Sequence, residues 1–151
     1  MKYWLMKSEE DEYSIDELKR DGKVAWFGVR NYQARNFMRD SMTKGDLVLF
    51  YHSNGTPSAV AGIGKVVSMP HPDATQFDIK SKYYDKKATK EKSIWMLVDV
   101  GYVKKFKSVI TLPILRTHKE LKDMVLLQKG SRLSITPLTE KEFVYIKQLA
   151  S

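Results

Sequence analysis

Residues 26–39 (WFGVRNYQARNFMR) place one tryptophan, two asparagines and three arginines within fourteen positions. Core packing alone does not call for that mixture. Trp26 and Phe27 offer flat apolar faces. Asn31 and Asn36 can each donate and accept hydrogen bonds. Arg30, Arg35 and Arg39 carry fixed positive charge on planar donor forks. A planar, polar-edged, negatively charged ligand would use all three properties, and a nucleotide fits that description.

Two further clusters stand at the ends of expected strands, where pockets of small β domains form. These are Lys7-Ser8-Glu9 and Tyr51-His52-Ser53-Asn54. Together with the 26–39 stretch they define a candidate base pocket of Ser8, Trp26, Val29, Asn31, Asn36, Tyr51 and His52. Trp26 would stack the base, and Ser8, Asn31 and Asn36 would read its edge. Lys7, Arg30, Arg35, Lys82 and Arg132 are candidates for holding the nucleic-acid backbone or bracing the pocket. Base–aromatic stacking contributes about 1–3 kcal/mol per base, and a base read in a closed pocket must first leave its stack. Each residue also has a plainer reading. Trp26 and Phe27 suit a core, Asn31 a helix N-cap, and His52 a structural role at the end of an apolar strand. Arg132 suits a buried pair with Asp46 or Asp99.

The elements that would position these groups follow from local patterns. Residues 2–7 (KYWLMK) read as a first strand. Ser14 with Glu17 three residues on forms a capping-box pattern, and Gly22 ends the helix it opens. Residues 32–42 read as a second helix. Residues 47–52 and 59–67 read as a long hairpin, with Gly62 and Gly64 marking a bulge or close backbone approach. Residues 68–93 form a long lysine-rich segment, a length associated with function. Residues 94–100 and 102–106 are β-rich, and 111–117 and 118–124 suggest short helical turns. Residues 130–135 read as a strand, and Pro137-Leu138-Thr139-Glu140 as the start of a last helix capped by Thr139. The pattern indicates one α+β domain over 1–151, a small barrel decorated by helices.

The net charge is +8 and the pI about 9.5. Residues 1–17 hold six acids and two lysines, so the remaining chain, with 24 bases and 12 acids, is strongly basic. Such a body attracts polyanions. There is no cysteine, which excludes disulfides and thiolate metal sites. No N-terminal apolar leader and no run of membrane-spanning length is evident, so a cytoplasmic protein without membrane partners is expected. The three histidines lack metal spacing, His52-Ser53 lacks the glycines of a nucleophile elbow, and Gly62-Ile63-Gly64-Lys65 lacks the spacing of a phosphate loop. The expectation is therefore no catalytic residues, metal or cofactor.

The blocks YWLMKSE, DEYSIDEL, WFGVRNYQARNF, GDLVLFYHSN, AGIGKVV, FDIKSKYYD and LLQKGSRLSI, in this order, resemble the EVE domain family, which includes thymocyte nuclear protein. The resemblance runs from Lys2 to the last helix. It implies a PUA-like curved mixed β-barrel decorated by helices, related to YTH domains, which read methylated adenine in RNA, and to SRA-type domains, which extract modified cytosine from DNA. By this resemblance Trp26 matches a cage tryptophan, and residues 50–54 with the following AGIGKV match the strand pair of the other wall. Tyr51 and His52 stand where YTH domains supply further tryptophans, which brings a modified pyrimidine into consideration. Glu10 stands where the family commonly has proline. The expected function is non-catalytic reading of a modified base in RNA or DNA. The alternatives are a nuclease or hydrolase acting on modified nucleic acid, and a small-ligand-sensing adaptor.

Overall fold

A computed structural model of the chain describes residues 1–150; Ser151, which the expected domain included, lies outside the described residues. Six strands form one mixed sheet in the order β2-β7-β4-β3-β1-β8, curled into a half-barrel. They are β1 (Tyr3–Glu9), β2 (Lys23–Ala25), β3 (Leu47–Ser53), β4 (Ala59–Val66), β7 (Asp99–Thr111) and β8 (Ile135–Leu138). Two short strands, β5 (His71–Pro72) and β6 (Met96–Leu97), pair separately. Among the described residues only β1 and β3 run parallel within the main sheet, and this requires the long excursion of residues 10–46 between them. The architecture is α+β with a curved mixed sheet, as expected.

Period-2 alternation divides the apolar residues between two cores. Trp4, Met6, Val48 and Phe50 face one side with Ile15 and Leu18 of α1 (Ile15–Asp21) and Ala34 of α2 (Tyr32–Asn36). Leu5, Leu49 and Tyr51 face the other, with Leu115 of α3 (Leu112–Arg116) and Phe143 and Ile146 of α4 (Glu140–Leu149). The central strands β3 and β4 are consequently buried on both faces.

The local signals that were strongest in sequence are met. Ser14 accepts from the Glu17 N–H while Glu17 accepts from Ser14, and Thr139 and Glu142 repeat the arrangement at α4. The β3–β4 hairpin forms, and the β4–β7 register slips on either side of Gly62. A Cβ on Gly62 would stand 2.4 Å from the Lys104 carbonyl oxygen, so only glycine permits β7 to pass so closely.

Three assignments change. The helix expected over 32–42 is one short α-helix continued by a π turn (Phe37–Ser41), closed by the Met42 N–H donating to the Phe37 carbonyl. Residues 130–134 are irregular, because Gly130 turns the chain at φ +78°. The strand begins at Ile135 and takes in Pro137, which pairs opposite Trp4 instead of opening a helix.

Candidate functional site

A cleft of about 520 Å³ opens where β1 ends, where β2 runs into α2, and where the 132–134 segment leads into β8. This volume lies within the ~300–1,000 Å³ typical of small-molecule sites. Ser8, Trp26, Val29 and Asn31 of the expected base pocket line it, as do Lys7, Arg30 and Arg132 of the expected cationic set.

Trp26 is 6% exposed, held by its backbone N–H to the Val98 carbonyl and by the edge of Phe50 at 5.4 Å. It thus serves the first core and walls the cleft at once. Asn31 also does both: its Oδ1 caps α2 by accepting the Ala34 N–H at 3.0 Å, which leaves its amide NH₂ as the group available to a ligand. The Ser8 hydroxyl donates to the Tyr13 carbonyl at 2.7 Å, so toward a ligand Ser8 is an acceptor. Lys7 is half-buried without an acidic partner, and burial holds its ammonium below the usual lysine value. Arg132 is exposed and pairs with neither Asp46 nor Asp99. Asp46 instead accepts from the Trp4 indole and from the backbone of Lys2 and Thr43, and Asp99 faces His71 at 2.8 Å.

Arg30 is a brace. Its five N–H groups reach the Tyr83 carbonyl twice, the Val29 carbonyl, Asp73 Oδ2 and Thr75 Oγ1, at 2.7–3.1 Å. None remains for a phosphate. Asp73, 2% exposed, also accepts from the N–H groups of Gly28 and Thr75 and from the Thr75 hydroxyl. Burial pushes its carboxyl up, but these hydrogen bonds and Arg30 outweigh burial and hold it below the ordinary value. Arg30 thereby fixes Tyr83, which closes the cleft from the long lysine-rich segment and whose hydroxyl donates to Glu12. Burial first, then this bond, raises the Tyr83 phenol above its ordinary value. Gly28 (φ +85°) lies directly against the Tyr83 ring, where an added Cβ would stand 2.7 Å from Cζ.

The remaining expected residues lie elsewhere. Asn36 does not line the cleft; its Oδ1 accepts from Arg35 at 2.8 Å. Arg35 lies 4.8 Å from the centroid of the Tyr32 ring and donates to the Ile94 carbonyl. Tyr51 faces the second core, and His52 is buried beneath α1, where Nε2 accepts the Ile15 N–H and Nδ1 faces Glu10 at 3.0 Å. Adjacent strand residues point to opposite faces, so Tyr51 and His52 cannot wall one pocket. Lys82 is exposed, 3.3 Å from Glu12 and 5.1 Å from the Tyr83 ring centroid, outside the cleft lining. Tyr83, Asp73 and Glu12 are what sequence reasoning missed. The only local hint was the pair of consecutive tyrosines in FDIKSKYYD.

A model of the EVE domain matches residues 2–149. The chain belongs to the EVE domain family. Thymocyte nuclear protein 1 of Gallus gallus is 40% identical over 166 residues, covering 97% of this chain and 68% of that protein. A crystal structure from Pseudomonas syringae has TM-score 0.94 and 50% identity, covering 99% of both chains. Human THYN1, crystallised in complex with DNA containing 5-methylcytosine, has TM-score 0.90 and 39% identity, covering 100% of this chain and 98% of that one.

Proposed function

We propose that this EVE domain is a non-catalytic reader that takes a modified base of DNA into the Trp26 cleft. The observation that carries the reading is the convergence of two cations that have no side-chain partner among the described residues, Lys7 and Arg132, on a cleft walled by Trp26 and Val29. An apolar wall accepts the face and substituent of a base, while the cations meet phosphate or base carbonyl oxygen. The Ser8 acceptor and the Asn31 donor give the edge two opposite contacts. The human relative bound to 5-methylcytosine-containing DNA makes that base the first to try. Non-catalytic binding suits the carboxylates of the cleft: Glu9 is held by Asn54 at 2.7 Å and Glu12 by Tyr83.

The test is anisotropy titration of DNA and RNA oligonucleotides of one sequence, each with and without a single 5-methylcytosine. Wild type is compared with Trp26→Phe, which keeps an aromatic ring in the core while shortening the wall of the cleft. Preference for modified DNA, reduced by Trp26→Phe, is expected. Equal affinity for modified and unmodified strands at low salt overturns the reading.

A further inference from the structure

Tyr32 opens α2 directly after Asn31, which lines the cleft, so their Cα atoms are about 3.8 Å apart. The residue is 58% exposed, yet its ring lies stacked on Trp95, with centroids 4.9 Å apart and planes at 23°. Trp95 is a fixed base for that stack. It is 5% exposed, its indole N–H donates to Asp85, its backbone N–H donates to Gln76 Oε1, and its carbonyl accepts from Gln76 Nε2. Arg30, which braces the cleft wall, lies 5.2 Å from the Trp95 ring centroid, so one guanidinium supports both places.

A flat ring has two faces. Trp95 covers one of Tyr32's, and the exposure leaves the other to solvent. The Arg35 guanidinium lies over the same ring, 4.8 Å from its centroid and 5.9 Å from that of Trp95, so it stands at the flank of the stack and not opposite Trp95. Three of Arg35's five N–H groups are spent on Asn36 and Ile94, which leaves two for an anion. Six exposed lysines between 80 and 92 belong to the segment that Asp85 ties to Trp95. An open aromatic face, a guanidinium with unspent donors and a basic surround suit a nucleobase with its phosphate.

We propose that Tyr32 is a stacking platform for the nucleobase next to the one in the cleft, with Arg35 contacting the phosphate that joins them. This rests on the cleft being a base site. It adds a second position, read by its π-face and therefore tolerant of base identity.

The experiment uses a short single-stranded DNA carrying one 5-methylcytosine, with its 5′ or its 3′ neighbour natural or abasic. Tyr32→Ala, at an exposed position, is checked for unchanged circular dichroism. Tyr32→Phe keeps the ring. Expected is a loss of at least about fivefold in affinity for Tyr32→Ala with natural neighbours, and a loss within twofold for Tyr32→Phe. The wild type should lose a similar factor when one of the two neighbours is abasic, and Tyr32→Ala should then lose nothing further. Wild-type affinity in Tyr32→Ala, or a Tyr32→Ala effect that stays undiminished both with the 5′ neighbour abasic and with the 3′ neighbour abasic, overturns the platform. The cleft reading fails separately, by loss of wild-type preference for the modified base. A Tyr32 effect that vanishes with an abasic neighbour would support the platform even then.

Discussion

Gly28→Ala tests how rigidly the cleft wall is built. Two penalties meet at this position. The backbone stands at φ +85°, where an L side chain costs about 1–2 kcal/mol. The new Cβ would also stand 2.7 Å from Tyr83 Cζ, so the ring must move, and overpacking of this kind costs about 1–3 kcal/mol. Gly22 supplies the control: its φ is +82° with nothing within 4 Å, so Gly22→Ala carries the backbone penalty alone. For a chain of 151 residues each kcal/mol lowers Tm by about 2–4 °C. Gly22→Ala should lower Tm by about 2–8 °C, and Gly28→Ala should lower it about twice as much. Displacing the Tyr83 ring also moves a wall of the cleft, so oligonucleotide binding should fall in Gly28→Ala and not in Gly22→Ala. Thermal unfolding and anisotropy on the two variants make the comparison. The double variant Gly28→Ala/Tyr83→Ala should be less destabilised than the summed singles, because the clash then has no partner. Equal Tm losses for Gly28→Ala and Gly22→Ala would refute the idea that Tyr83 is fixed against the glycine.

Arg30→Lys should lower unfolding free energy by about 1–3 kcal/mol in urea titration, since an ammonium cannot span the carbonyls of Val29 and Tyr83 together with Asp73 and Thr75. His52 should make stability fall with acid. Burial, partly opposed by Glu10 and Asp16, depresses its imidazole below the ordinary 6.5, so the unfolded chain takes up the proton first. Its contribution is full above pH 6.5 and is lost as pH falls through the depressed folded value. Urea midpoints against pH should show this slope in wild type and a shallower one in His52→Gln. Lys7→Gln should weaken DNA binding and reduce the slope of log K against log[salt] by about 0.9 if it meets one phosphate. Because its ammonium is half-buried and unpaired, unfolding free energy should not fall.

The parts of the fold that were legible in sequence are those whose cause is local. Ser14 with Glu17 and Thr139 with Glu142 satisfy helix ends within three residues. The hairpin strands are short apolar runs bounded by turn-forming residues, a signal that is also local. The cleft was legible in half. Trp26, Val29, Asn31, Lys7, Ser8 and Arg132 meet there, but which of its two expected roles Arg30 takes, phosphate contact or brace, was hidden, because its partners Asp73 and Tyr83 lie 43 and 53 residues away. Two misplacements were avoidable. Tyr51 and His52 are neighbours on a strand and must part. Asn31 and Asn36 are five positions apart, roughly 140° around a helix, and must diverge. Pro137 misled because proline reads locally as a helix opener, whereas pairing with β1 decides its fate.

That proline has a consequence for the protein in a crowded solution. The half-barrel does not close on itself, so β2 and β8 are its outermost strands, and an unpaired margin of N–H and C=O groups invites strand addition by another molecule. The Lys7 N–H donates to the Ser134 carbonyl, which makes that opposed pair a hydrogen-bonded one. Counting along the alternating antiparallel ladder, Trp4 and Pro137 form a non-bonded pair, so the proline nitrogen faces outward. The rim therefore lacks a donor in the middle of β8. At the opposite rim β2 spans only three residues and begins with an exposed lysine. Each free margin is thus too short or too interrupted to template a neighbouring chain. A threonine at 137 would restore the missing donor on that open margin.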